Sequence, residues 1–158
     1  MAENWKSANW DELVSGASCP VCEVIQSAAQ EDAHGFAVVD LKLSRLFLAK
    51  NQYVAGYCTL LCRQHVIEPY ELTSADRVAF FDDLSLIGKG LQQAFKADKL
   101  NYQILGNMVP HLHVHVVPRY FTDDAPHRPI DPWHQQVYLS PTEYAERIAL
   151  IQTHLGLG

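Results

Sequence analysis

Polar and apolar residues alternate from His111 to Val116 in His111-Leu112-His113-Val114-His115-Val116-Val117, the period-two pattern of a strand with one face toward a core. Shorter runs of the same kind recur upstream. Phe36 to Leu41 and Arg45 to Ala49 are apolar enough for two strands joined by a tight polar turn. Gly56 opens a third run, Tyr57 to Arg63, which closes before Pro69. Leu100 to Leu105 and His111 to Val117 give two more, separated by Gly106-Asn107-Met108-Val109-Pro110. Pro118 is expected to end the last strand, because proline has no N–H to give to a ladder.

Helical periodicity takes over elsewhere. Trp10 to Leu13 suits a single turn, and Val24 to Gln30 a short helix ended by Glu31-Asp32 and Gly35. Thr73-Ser74-Ala75-Asp76 is a helix start with an acidic residue in the first turn. Val78, Phe81, Leu84, Ile87, Leu91 and Phe95 follow at three- and four-residue steps, which predicts one long amphipathic helix to about Ala97 with a packing role. Ser140-Pro141-Thr142-Glu143 combines a cap, a first-position proline and a reciprocal glutamate. Tyr144, Ile148, Ile151 and Leu155 supply the stripe of that last helix. Residues 121–139, rich in Pro, Asp and His, have no period and read as a long loop over a site or along a partner subunit. Five strands and two good helices outside any βα alternation predict an α+β fold with an antiparallel sheet. No repeat, low-complexity stretch or linker divides the chain, so residues 1–158 read as one domain.

Composition narrows the function classes. With 158 residues, 48% hydrophobic and 19% charged, the chain is an ordinary soluble globular protein. Its apolar runs are too short to span a membrane, and Met1-Ala2-Glu3-Asn4-Trp5 lacks the basic start and apolar stretch of a secretory leader. A cytoplasmic location is the expectation. The net charge of −6, with no basic block, argues against a nucleic-acid polymer as partner but leaves room for a small anion held by local donors.

Three imidazoles about 6.6 Å apart along one strand share a face if the backbone is extended. Histidine titrates near neutral pH, so such a row can supply a nucleophile, a proton donor or a metal ligand. A second cluster is implied by Cys19-x-x-Cys22, spaced for a metal site or a redox pair. A tetrahedral site needs two further N or S ligands. His65 and His111 are candidates, with Cys58 and Cys62 as rivals, although Cys58 lies in an apolar run where a thiol serves as a small hydrophobe. A reduced structural thiol pair is the competing reading. No βαβ pattern surrounds the pair to support a thioredoxin-like motif.

His111 to Val117 followed by Pro118-Arg119 resembles the signature of the histidine triad (HIT) superfamily of nucleotide hydrolases and transferases. Asn51 to Leu61 resembles that family's strand-loop-strand, and Arg63-Gln64-His65-Val66 with Leu72 resembles the segment after it. Cys19-Pro20-Val21-Cys22 is similar to the N-terminal pair of zinc-containing members. The resemblance covers roughly residues 18 to 120 and is strongest to the bacterial branch akin to diadenosine polyphosphate hydrolases and the fragile histidine triad group. It departs at two places. Gly106-Asn107 stands where many relatives carry Gly-Gln, and Tyr57 where many carry histidine.

The resemblance implies a HIT-like fold of about five antiparallel strands with one long helix and a C-terminal helix, in a homodimer. It implies structural zinc on Cys19, Cys22, His65 and His111. It makes His113 the nucleophile on the α-phosphate of a nucleoside phosphoester or anhydride, such as a dinucleoside polyphosphate, with a covalent histidine–nucleotide intermediate and release of a nucleoside monophosphate. His115 would donate to phosphoryl oxygens, Asn107 would add a neutral donor, and Asn51 would meet the ribose. Arg119 reads as a solvated strand end, and His127, His134 and His154 have no assigned role. Two other functions fit the same residues: a nucleotide-binding regulator with little turnover, and a zinc-stabilised interaction protein whose triad only binds metal.

Overall fold

The computed structural model describes residues 8–157 apart from positions 124, 126, 132 and 133. The N-terminal residues on which the absence of a leader was read therefore lie outside the described part. Along the chain come α1 (Trp10–Val14), α2 (Pro20–Ser27), β1 (Gly35–Asp40), β2 (Ser44–Ala49) and β3 (Cys58–Cys62). A 3₁₀ turn (Pro69–Glu71) leads to α3 (Ser74–Phe95), β4 (Lys99–Ile104), β5 (His113–Arg119) and α4 (Pro141–His154). The strands form one sheet in the order β1-β2-β3-β5-β4, every neighbour antiparallel. The fold is the α+β arrangement expected, with the long helix and the C-terminal helix both present.

The two sheet faces have different work. Leu46 and Leu48 on β2, Cys58, Leu60 and Cys62 on β3, and Val114 and Val116 on β5 point into the main core. They meet Phe80, Leu84, Ile87 and Leu91 of α3 and Tyr144 and Ile151 of α4. Strand alternation then puts Phe47, Thr59 and His115 in one cross-strand row on the opposite face, and Arg45, Leu61 and His113 in the next.

Both long helices begin as their sequences dictate. The Thr73 hydroxyl accepts from Asp76 N–H, and Ser140 and Glu143 form a reciprocal capping box. Three expectations need correction. The buried stripe of α3 starts at Phe80, while Val78 and Phe81 are 61% and 37% exposed. Periodicity located the helix but misplaced its inner face by one residue in the first turns. The short helix starts at Pro20 rather than Val24, because Pro20 occupies its first position and Cys19 caps it. The third concerns Pro118, which does not stop β5. Arg119 C=O accepts from Asp98 N–H on the β4 side, so Pro118's missing donor faces the other side, where β3 pairs no further than Val116.

The loop from Lys50 to Gly56 is pinned by one buried amide. Gln52 Nε2 donates to Ala49 and Tyr57 carbonyls, at 2.8 and 3.0 Å. Its Oε1 accepts from Gly56 N–H and from Arg147 of α4, at 2.9 and 2.7 Å. Gly56 has φ +80°, and a Cβ there would run into the Phe95 ring. Gly56→Ala combines backbone strain with that clash, and is expected to lower unfolding free energy by about 2–3 kcal/mol in a denaturant titration. An unchanged midpoint would contradict this packing.

Candidate functional site

A cavity of about 440 Å³ opens on the non-core face of the sheet. Its floor is Phe47 and Ala49 of β2, Thr59 and Leu61 of β3, and His113 and His115 of β5. Pro20, Val21 and Val24 of α2 form one wall. Lys50, Asn51, Tyr57, Val109, Gln136 and Tyr138 close the rest. The loop read over residues 121–139 thus does lie over this site at its C-terminal end, and it carries no helix or strand among its described residues.

Each triad histidine has its own setting. The His113 and His115 ring centroids are 4.9 Å apart on the cavity floor. His113 Nδ1 lies 2.6 Å from the His111 carbonyl oxygen. A carbonyl only accepts, so Nδ1 carries the hydrogen and the lone pair resides on Nε2. Burial pushes the His113 pKa down, opposed by that carbonyl bond. Burial, with His113 beside it, brings His115 down to about 4, so both rings are neutral at pH 7. His115 Nδ1 is 2.7 Å from the Tyr57 hydroxyl.

His111 precedes the strand rather than starting it, is almost wholly buried, and is not among the cavity-lining residues. Its ring joins Cys19, Cys22 and His65, whose ligand atoms all lie within 4.8 Å of one another. The α2 N-terminus positions the thiols, since Cys19 is its cap and Cys22 sits in the first turn. Cys22 Sγ is 3.3 Å from His65 Nδ1 and 3.6 Å from His111 Nδ1, Cys19 Sγ is 3.4 Å from His111 Nδ1, and the two Nδ1 atoms are 3.2 Å apart. Both Nε2–H groups donate to carbonyls, His65 to Val14 and His111 to Cys62, at 2.9 and 2.8 Å. Two Nδ1 lone pairs therefore face each other, an arrangement that repels unless a cation lies between them. A tetrahedral ion with N at ~2.0 Å and S at ~2.3 Å sets N···N near ~3.3 Å and N···S near ~3.5 Å. The four residues fit a metal ion. Without one, burial and the neighbouring Cys19 push the Cys22 thiol up to about 11. Cys58 and Cys62 are buried free thiols outside the cluster, so the rival ligand set is not assembled.

Asn51 lines the cavity with its amide engaged. Its Oδ1 accepts from Tyr53 and Val137 N–H, at 3.1 and 2.9 Å, and its Nδ2 donates to Gln135 C=O at 2.8 Å. Asn107 is exposed on the loop before the triad and lies outside the lining, unlike its neighbour Val109. Arg119 is the reverse of a solvated end. It is buried, and its guanidinium holds Asp123, Asn101 and the Ala125 and Arg128 carbonyls, which organises the start of the 121–139 loop. Thr59 was not anticipated as a site residue, and Tyr57 only as a position where many relatives carry histidine. Their signal was the alternation Tyr57, Thr59, Leu61 against Cys58, Leu60, Cys62, which separates a cavity face from a core face. His34, Lys50 and Tyr138 also line the cavity, but loop residues carry no comparable period.

Comparisons with known proteins agree with this architecture. A model of the HIT domain matches residues 30–122. A bis(5'-adenosyl)-triphosphatase of Saccharomyces cerevisiae is 29% identical over 103 residues, covering 61% of this chain and 46% of its own length. The chain thus spans about half the length of the curated relatives it matches. Among solved structures, a histidine triad protein of Bradyrhizobium japonicum superposes with a TM-score of 0.71 at 28% identity, over 77% of this chain and 91% of that one. A zinc-bound histidine triad family protein of Mycobacterium smegmatis shares the fold, with a TM-score of 0.64 at 20% identity over 89% of this chain and 94% of that one. Among the described residues no helix is long and apolar enough to cross a membrane.

Elemental analysis of the purified protein should find one divalent cation per chain. Because ligand binding to such a site is folding energy, Cys22→Ser should lower that content and reduce Tm by roughly 10 °C. Wild type purified without a bound cation, or melting at the same temperature as its Cys22→Ser variant, would contradict the site.

Proposed function

The chain belongs to the HIT family, and on that premise we propose that it is a nucleotide hydrolase acting at the α-phosphate of a nucleoside phosphoester or anhydride. One observation carries the reading: His113 donates Nδ1–H to the His111 carbonyl and so keeps a nucleophilic Nε2 on a ring at the cavity floor. In the first step the Nε2 lone pair forms an N–P bond while the P–O bond to the leaving group breaks. The leaving oxygen takes that electron pair, and the Nδ1–H bond to the carbonyl supports the imidazolium character that develops. Water then attacks phosphorus, the P–N pair returns to Nε2, and the nucleoside monophosphate departs with the water's proton released to solvent.

His115 hydrogen-bonds the phosphoryl oxygens, where buried neutral donors act strongly because little water competes. Asn107, outside the lining on the loop that carries Val109, would add a donor only if that loop closes on the substrate. Asn51 serves the ribose end through the wall it holds at residues 135–137. The size of the cavity admits a nucleotide, and the yeast triphosphatase likeness favours dinucleoside polyphosphates as the substrate class. The cysteine–histidine cluster is best matched by structural zinc, in keeping with the metal bound in the mycobacterial relative. All four positions of a tetrahedral ion are then protein ligands, which leaves none for substrate.

A homodimer belongs to the same reading. β4 is an edge strand, with Tyr102 and Ile104 and the following Leu105 and Met108 exposed. On α3, Phe81, Ser85 and Gly88 lead at four- and three-residue steps to Tyr102, whose hydroxyl packs against Gly88. Pairing two β4 edges would satisfy that row of backbone groups and cover this apolar surface. Sedimentation should give twice the chain mass, and Ile104→Lys should return it to a monomer; a wild-type monomer at micromolar concentration would refute the dimer.

His113→Ala is expected to cut turnover of diadenosine triphosphate by at least ~1,000-fold with thermal stability retained. Wild-type-like turnover by this variant would end the nucleophile assignment. A single burst of product without steady turnover in the wild type would instead favour a nucleotide-binding regulator.

A further inference from the structure

The row His115, Thr59, Phe47 and Ala37 runs straight across β5, β3, β2 and β1 on the cavity face. Three strand spacings make it about 14 Å long. That is the reach of an extended purine nucleotide, so a phosphate over the histidines leaves its base near the start of β1. Val21 and Val24 of α2, with Phe47 and Ala49 of β2, give the lining apolar surface that suits a flat ring. Asp32, half-buried in the turn that enters β1, belongs to the same lining. Its Oδ1 accepts from His34 and Gly35 N–H, at 2.7 and 2.6 Å, and its own N–H donates to Gly35 C=O at 3.0 Å. Lys50 N–H ties that turn to the end of β2 through His34 C=O, at 2.7 Å. Two donors on one oxygen fix the rotation of the carboxylate, while among the described residues nothing bonds Oδ2. The nearby cation is already paired, since Lys50 Nζ lies 2.7 Å from Glu31. Glu23, the other carboxylate of the lining, is exposed and has no bond among the described residues to hold its rotamer.

We infer that Asp32 is a specificity-determining residue whose Oδ2 accepts a hydrogen bond from the exocyclic amino group of adenine. An ionised carboxylate only accepts, so it pairs with a base edge that carries an N–H and disfavours one that presents lone pairs alone. The turn supplies the preorganisation. Its backbone donors fill Oδ1 before any ligand arrives, which leaves little ordering to be done on binding. The role rests on the hydrolase reading for the phosphate at His113 and for adenine as the base, but base choice is measurable by binding without turnover.

The test is isothermal titration of the full chain with adenosine monophosphate and with purine riboside monophosphate, which lacks only the amino group, alongside hydrolysis of diadenosine triphosphate. The wild type should bind the adenine nucleotide about 10- to 100-fold more tightly. Asp32→Asn should keep the fold, since an amide oxygen can take the same two backbone donors, but it puts an NH2 where Oδ2 stood. The affinity ratio should then fall to within about threefold. Losing a negative charge raises the affinity of both anions alike and leaves their ratio untouched. A wild-type ratio within about twofold, too small for a hydrogen bond to a carboxylate, would overturn the inference whatever the variant does. So would an Asp32→Asn protein, shown to be folded by its thermal melt, that keeps the wild-type ratio. Discrimination without hydrolysis would leave Asp32 its role and end the hydrolase reading; hydrolysis without discrimination would do the reverse.

Discussion

The bond from His113 Nδ1–H to the His111 carbonyl joins two sites through a single residue. His111 places its ring among Cys19, Cys22 and His65 and its carbonyl under the proposed nucleophile. The ring and the carbonyl of His111 thus serve the two sites from one residue. The chain around it has little freedom to move. Cys62 N–H bonds Leu112 C=O, Leu112 N–H bonds Val66 C=O, and His111 Nε2 donates back to Cys62 C=O. The residues that could hold a metal and the proposed nucleophile therefore share one stretch of backbone.

Burial sets the charge state of the site. Burial lowers the pKa of both imidazoles on the floor, and the neighbouring His113 lowers that of His115 further. The consequence is that both rings on the floor are neutral near pH 7. A neutral donor loses less to solvent competition in a buried site than it would in water. The polar side chains around the site are correspondingly well satisfied: the Gln52 amide bonds Ala49, Tyr57, Gly56 and Arg147, and the Asn51 amide bonds Tyr53, Gln135 and Val137. Such networks hold a loop in one arrangement, which a site depending on ring orientation requires.

Strand alternation made the fold and much of the site legible before any coordinates. All five strands fall within two residues of where the apolar runs place them, because each run is bounded by turn residues and has one buried face. Cys19-x-x-Cys22 announced a ligand pair, and the structure supplies His65 and His111 from 43 to 92 residues away. Less accessible were features decided by tertiary packing. The inner stripe of α3 begins at Phe80 instead of Val78, in the core shared with Tyr144 and Ile151 of α4, and β5 passes through Pro118 because β3 is too short to need its N–H. Arg119 looked like a solvated end because its partners, Asn101, Asp123 and two carbonyls, are brought together only by folding of an aperiodic loop. The same holds for Asn51, whose amide is matched to backbone groups of residues 135 and 137 that no local pattern ties to it.

The central claim is that Nε2 of His113 bonds to phosphorus. The most direct measurement is acid-free rapid quench of the protein with labelled diadenosine triphosphate, followed by peptide mass spectrometry. The account predicts a nucleotidyl adduct on the peptide at His113 that appears and decays within single turnovers. Steady hydrolysis with an adduct on another residue, or with inversion at phosphorus and no adduct at all, would contradict it.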